Sequence, residues 1–125
     1  MKFNNPILTA NGKARAFVEA KKLKTLWFNT GTLCNLTCKN CYIESSPIND
    51  RLSYLSFDEY LKFMNEVKED GLKLLEIGFT GGEPFLNKDF PKMLNHSVQQ
   101  GVEVLVLTNA MKPMLNNRSK IINLN

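Results

Sequence analysis

Long apolar runs are missing from the 125 residues of this chain. No stretch approaches the roughly 20 apolar residues of a membrane span. The first ten residues hold no apolar segment of the signal-peptide kind, and Pro6 interrupts what apolar character they have. A cytoplasmic protein with no membrane partner is the expectation, so its thiols should be reduced. Repeats and low-complexity tracts are also absent. Histidine occurs once, at His96, and no cysteine follows Cys41. That scarcity leaves a nucleophilic cysteine without an evident base. It also leaves a structural zinc ion, which wants four ligands, one ligand short. Acidic residues are outnumbered, 12 against 16 Lys and Arg, for a formal charge of +4. The lysines are scattered, however. The densest group, Lys21, Lys22 and Lys24, is broken by Leu23 and has no interleaved aromatics. It reads as a solvated face, and nucleic acid is not an expected partner.

What is present reads as one soluble globular domain, because 43% hydrophobic and 22% charged residues are ordinary proportions for such a chain. Residues 1–24 form a polar lead-in, with a short helix expected over 13–22. Thr25 to Thr30 is β-prone and bounded by Gly31, which predicts a first strand. Residues 31–55, rich in Asn, Ser, Cys and Pro, predict a long loop of the functional kind. Ser56 and Glu59 make a capping box at the start of a helix. Phe57, Tyr60, Leu61, Met64 and Val67 recur at helical spacing until Gly71 stops the run. Leu74 to Phe79 is nearly continuously apolar, as a buried parallel strand should be. A tight loop, Thr80 to Pro84, leads to a second helix over Asp89 to Gln100 and a third strand from Val102 to Leu107. Ser119 to Leu124 looks like the start of another helix. The alternation predicts an α/β fold of parallel βαβ units with right-handed crossovers.

All three cysteines lie in one stretch, Cys34-Asn-Leu-Thr-Cys38-Lys-Asn-Cys41. Thiolates this close can turn toward one soft metal centre, and three of them leave one coordination position unfilled. Blander readings exist. Positions 34, 38 and 41 fall on one face of a helix and would then be buried free thiols, although Asn35, Thr37 and Asn40 are poor helix formers. His96 on the second helix is expected to be a surface or satisfied histidine rather than a fourth zinc ligand. Met111 and Met114 suit loop or core packing, and Asp58 and Glu59 suit the positive end of a helix.

A Cys-x3-Cys-x2-Cys motif after a first strand, followed by Gly-Gly-Glu-Pro after a second, resembles the signature of the radical S-adenosylmethionine (SAM) superfamily. It differs from the Cys-x2-Cys-x2-Cys-x3-Cys run of bacterial ferredoxins. The likeness covers about residues 25 to 110. It implies a [4Fe–4S] cluster on Cys34, Cys38 and Cys41, with SAM on the fourth iron. Reductive cleavage of SAM would yield a 5′-deoxyadenosyl radical that abstracts hydrogen from a substrate not identified by the sequence. It further implies a reducing electron donor such as flavodoxin or ferredoxin. Gly81, Gly82 and Glu83 would meet the methionyl amino group, glycines allowing close backbone approach and a carboxylate pairing with an ammonium. Thr108 and Asn109 end the third strand on the same side, where SAM or substrate would lie, or else cap the strand.

Two departures accompany the resemblance. The family usually sets an aromatic just before the third cysteine, near the adenine. Here Asn40 holds that position and Tyr42 follows the cysteine instead. The family core also resembles a partial (β/α)6 barrel of six units, about 200 residues at roughly 30 per unit. Three strands make residues 25–125 the N-terminal half of such a core, in a sequence expected to be truncated. Besides the partial enzyme, a non-catalytic iron–sulfur or electron-transfer module and an inert fragment remain as alternatives.

Overall fold

A computed structural model describes residues 5–19 and 22–124 of the chain. Three strands, β1 (Thr25–Asn29), β2 (Glu76–Thr80) and β3 (Glu103–Val106), form one sheet in the order β1-β2-β3. Both pairings are parallel, with Phe28 beside Phe79 and Phe79 beside Val106. Each strand sits within two residues of its expected place. Parallel neighbours need a crossover, and helices α1 (Phe57–Glu69) and α2 (Phe90–Gln99) supply them.

Helix α1 begins as its capping box dictates. The Ser56 hydroxyl accepts the Glu59 N–H at 3.2 Å, and the Glu59 carboxylate accepts the Ser56 N–H at 2.8 Å. The Glu59 carboxylate also accepts the Ser56 hydroxyl at 2.6 Å, and that bond first and the Ser56 N–H second lower the Glu59 pKa. Asp89 joins the two helix starts, accepting the Phe57 N–H at 3.3 Å and pairing with Lys92 at 3.0 Å.

The core lies between the helices and one face of the sheet. Phe28, Ile77 and Phe79 from the strands meet Tyr60, Phe85, Phe90, Met93 and Leu94. The rings are closely engaged: Phe28 and Tyr60 have centroids 4.9 Å apart, and Phe79 and Phe90 5.1 Å. His96 is satisfied here rather than free. Ser97 Oγ donates to the Met93 carbonyl and shares a bond with the Tyr60 hydroxyl, which also contacts His96 Nδ1 at 2.9 Å.

The lead-in departs from expectation. Residues 13–19 form no helix; Leu8 and Ala14 bridge as an antiparallel pair around a turn at Gly12. Phe17 and Val18 are almost fully exposed, so nothing rewards a helical face there. Residues 20 and 21 of the expected helix lie outside the described residues. After β3, the chain makes two short helices, α3 (Lys112–Asn116) and α4 (Arg118–Ile122), of which the first was not expected. Met114 packs on the core while Met111 is exposed. Among the described residues no helix is long and apolar enough to cross a membrane.

A cysteine loop latched to a glycine loop

The candidate site is built where β1, β2 and β3 end. Beyond β1 the chain keeps pairing with the loop beyond β2. Thr30 N–H donates to the Thr80 carbonyl at 2.9 Å, Gly82 N–H to Gly31 at 2.8 Å, and Glu83 N–H to Leu33 at 3.0 Å. The two loops therefore run together to within one residue of Cys34.

That approach explains both glycines. Gly81 has φ +138°, and a Cβ there would stand 2.6 Å from the Gly31 carbonyl oxygen. A Cβ on Gly82 would collide with the Leu33 carbonyl and lie 2.8 Å from that of Thr32. Side chains at either position would push the loops apart.

The cysteine loop is not helical, which removes the reading of three buried thiols on one helix face. Cys34 is buried, Cys41 half-buried and Cys38 exposed. The far side of the loop is fastened by Cys34 N–H to the Ser46 carbonyl at 3.1 Å. Both inner sulfurs receive backbone amides. Cys34 Sγ accepts Leu36 N–H at 3.5 Å, and Cys41 Sγ accepts Ser45 N–H at 3.3 Å. Amides of Ile43 and Ser45 lower the Cys41 pKa from its ordinary 9.0, because they favour the thiolate. Thiolate is the form that binds metal.

These residues fit an iron–sulfur cluster better than a single ion. A zinc ion needs its sulfurs about 2.3 Å from one shared point. Among the described residues no three Cys, His, Asp or Glu side chains converge in that way. A cubane asks for less convergence, since each thiolate takes its own iron. The Ser45 hydroxyl supports the same fit. It is buried beside Cys41 and helps lower that thiol's pKa, as a hydroxyl donating to the thiolate does.

Glu83 is fully buried. Its carboxylate accepts Phe85 N–H at 3.1 Å, Thr108 Oγ1 at 2.8 and 2.9 Å, and Asn109 N–H at 2.9 Å. It thereby caps the short 3-10 turn Pro84–Leu86 and ties the glycine loop to the end of β3. Pro84 is the first residue of that turn, where its fixed φ suits it. Thr108 and Asn109 thus do cap the strand end, and they do so at the site. Asn109 Nδ2 also reaches Cys34 Sγ at 3.7 Å and Asn35 Oδ1 at 3.0 Å.

Of the aromatic and polar candidates, Tyr42 joins the site and Asn40 stays at its margin. The Tyr42 hydroxyl bonds Thr80 Oγ1 at 2.7 Å while its ring is exposed. Asn40 is exposed in the turn between Cys38 and Cys41, with no side-chain bond among those described. Asn87 was not foreseen. It is buried, and its amide donates to the carbonyls of Thr30 at 3.1 Å and Leu55 at 2.8 Å, bracing the cysteine loop from below. The run Glu83-Pro-Phe-Leu-Asn87 gave a faint signal, since Asn after a turn often bonds backbone.

Residues 28–123 match the family model of the radical SAM superfamily. The chain is 33% identical over 76 residues to an S-adenosylmethionine-dependent nucleotide dehydratase of Selenomonas ruminantium, covering 61% of the chain and 26% of that protein. It is 29% identical over 115 residues to the protein of the same name from Lacinutrix mariniflava, covering 84% and 24%. It is 36% identical over 76 residues to the antilisterial bacteriocin subtilosin biosynthesis protein AlbA of Bacillus subtilis, covering 61% and 16%. The chain thus spans about a quarter or less of these curated relatives. Among solved structures, Streptococcus suis SuiB bound to S-adenosylmethionine aligns with a TM-score of 0.64 at 16% identity, over 83% of this chain and 23% of that one.

Proposed function

The chain belongs to the radical SAM superfamily, and from that premise we propose that it supplies the cluster loop and part of the SAM site of an enzyme that cleaves SAM reductively. The relatives are enzymes named for nucleotide dehydration, GTP cyclisation and peptide cyclisation. Two of these names refer to nucleotides and one to a peptide, so the proposal concerns the step before the substrate. A [4Fe–4S] cluster held by Cys34, Cys38 and Cys41 would, when reduced, supply the electron for reductive cleavage of SAM, the source of the hydrogen-abstracting power of this chemistry.

In this reading Cys34, Cys38 and Cys41 hold the cluster, and the lowered Cys41 pKa readies that thiolate. Gly81 and Gly82 bring the backbone of their loop beside the cluster loop, where the methionyl amino group would be met. Glu83 gives that group a negative field. The hydrogen bonds it accepts from Phe85, Thr108 and Asn109 make its first task the holding of the loop. Tyr42, anchored through its hydroxyl, offers an exposed ring for the adenine in place of Asn40, which lies at the loop's margin. Thr108 and Asn109 close the third side. The sheet would be the first half of a partial barrel whose chemistry sits at the C-terminal strand ends. A reduced cytoplasm with a flavodoxin- or ferredoxin-like donor fits the free thiols.

The observation that carries this reading is the latch: Gly82 and Glu83 bonded to Gly31 and Leu33 bring the two motifs into one site. The test is anaerobic reconstitution of the full-length protein with iron and sulfide. About four irons per chain are expected, as a cubane requires, with most lost in Cys38→Ala. Addition of SAM should change the electron paramagnetic resonance signal of the reduced cluster. Equal iron and sulfide uptake by the triple Cys→Ser variant would overturn the assignment.

A further inference from the structure

We propose that Asn109 is a positioning residue for the cluster, its carboxamide donating to the Cys34 sulfur from outside the ligand set and so setting the reduction potential. The inference rests on the cluster reading above.

The orientation of the carboxamide is fixed by its neighbours. Met111 N–H donates to Asn109 Oδ1 at 3.1 Å. The other end must therefore be the NH2 group, and it faces Cys34 Sγ at 3.7 Å and Asn35 Oδ1 at 3.0 Å. The first distance is long, as hydrogen bonds to sulfur are, and the second keeps the group in place. The backbone is pinned too. Asn109 N–H donates to the buried Glu83 carboxylate at 2.9 Å, and Ala110 N–H to Thr108 Oγ1 at 3.1 Å.

Ala110 adds an independent sign. Its φ is +56°, in the left-handed region that a residue with a Cβ avoids. Such strain persists where the surroundings over-determine it, and it clusters at functional sites. Here the turn at Ala110 is what brings Met111 N–H back to the Asn109 side chain.

Cys34 is the most buried of the three thiols. The Asn109 N–H joins that of Leu36 on a thiolate shielded from water, where a hydrogen bond is felt most. Hydrogen bonds to the sulfurs are among the determinants of cluster potential, because they stabilise the more negative, reduced state. The same chain of contacts joins Cys34 to the glycine loop through Asn109 and Glu83.

The experiment compares the full-length protein with Asn109→Ala and Asn109→Asp, each reconstituted anaerobically and titrated redox-potentiometrically. Iron content is read first. The expected result is intact iron content in both variants with a more negative midpoint potential. The shift should be larger in Asn109→Asp, which removes the donor and sets a carboxylate near the sulfur. A purely structural role would change melting temperature without ordering the potentials in this way. If Asn109→Ala does not fold by circular dichroism, the isosteric Asn109→Asp carries the test alone. Full iron content with an unchanged potential overturns this inference and leaves the cluster assignment standing. Absence of iron from the wild type overturns both.

Discussion

On one face of the sheet Phe28, Ile77 and Phe79 are buried under α1 and α2; on the other, Trp27, Leu105 and Leu107 are 45%, 42% and 48% exposed. The strands are shared, and alternation sends successive side chains to opposite faces, so the contrast comes from what covers each side. The helices that return the chain from strand to strand all lie on one side. The second face carries apolar residues without an apolar neighbour layer. The site sits at the rim where the faces meet, and it is held mostly by backbone bonds and a buried carboxylate.

The largest expected effect concerns the bare face. By themselves, these 125 residues should release no 5′-deoxyadenosine from SAM under reducing conditions, because a pocket open to water on that side cannot protect a radical. Chromatography of reactions run with dithionite measures this. Release equal to that of a longer protein carrying this segment would show that the uncovered face needs no cover.

Phe79→Ala should come next, at about 3–5 kcal/mol of stability in denaturant unfolding, as for large core rings. Glu83→Ala strands Thr108, Asn109 and Phe85 donors, and a hydrogen bond to a charged group is worth roughly 1.5–3 kcal/mol. Its SAM affinity should fall while iron content holds, which a SAM titration followed by the cluster's paramagnetic signal would show; an unchanged curve removes Glu83 from the site. The smallest effect should be Trp27→Ala, about 1 kcal/mol, since burying a side chain in full yields only 1.5–3 kcal/mol and Trp27 is half covered. A loss matching that of Phe79→Ala would mean the two faces are more alike than their exposures suggest.

These contrasts also mark what could be read in the residues alone. The helix from Ser56 and the three parallel strands were legible because capping chemistry and apolar period act over a few neighbours. The cysteines and Gly81 to Pro84 were legible as motifs. The roles within them were not. Gly81 and Gly82 read as room for a ligand, whereas they first make room for the backbone of residues 31–33. Asn109 and Cys34 are 75 positions apart, and no local pattern announces a polar side chain whose partner is that distant. Asn87, whose carbonyl partners lie 57 and 32 positions away, escaped notice for the same reason. The helix expected over 13–22 failed for the opposite reason: local propensity was present and no surface existed for Phe17 and Val18 to meet.

Trp27 is the sole tryptophan of the chain, and it lies across Gly78 at the middle of the open face. Its ring is thus a built-in optical probe of that surface. Emission from a half-exposed indole lies toward the red and moves to the blue when apolar groups exclude water. Any segment, substrate or partner that settles on this side of the sheet should announce itself in the protein's own fluorescence, with no label attached.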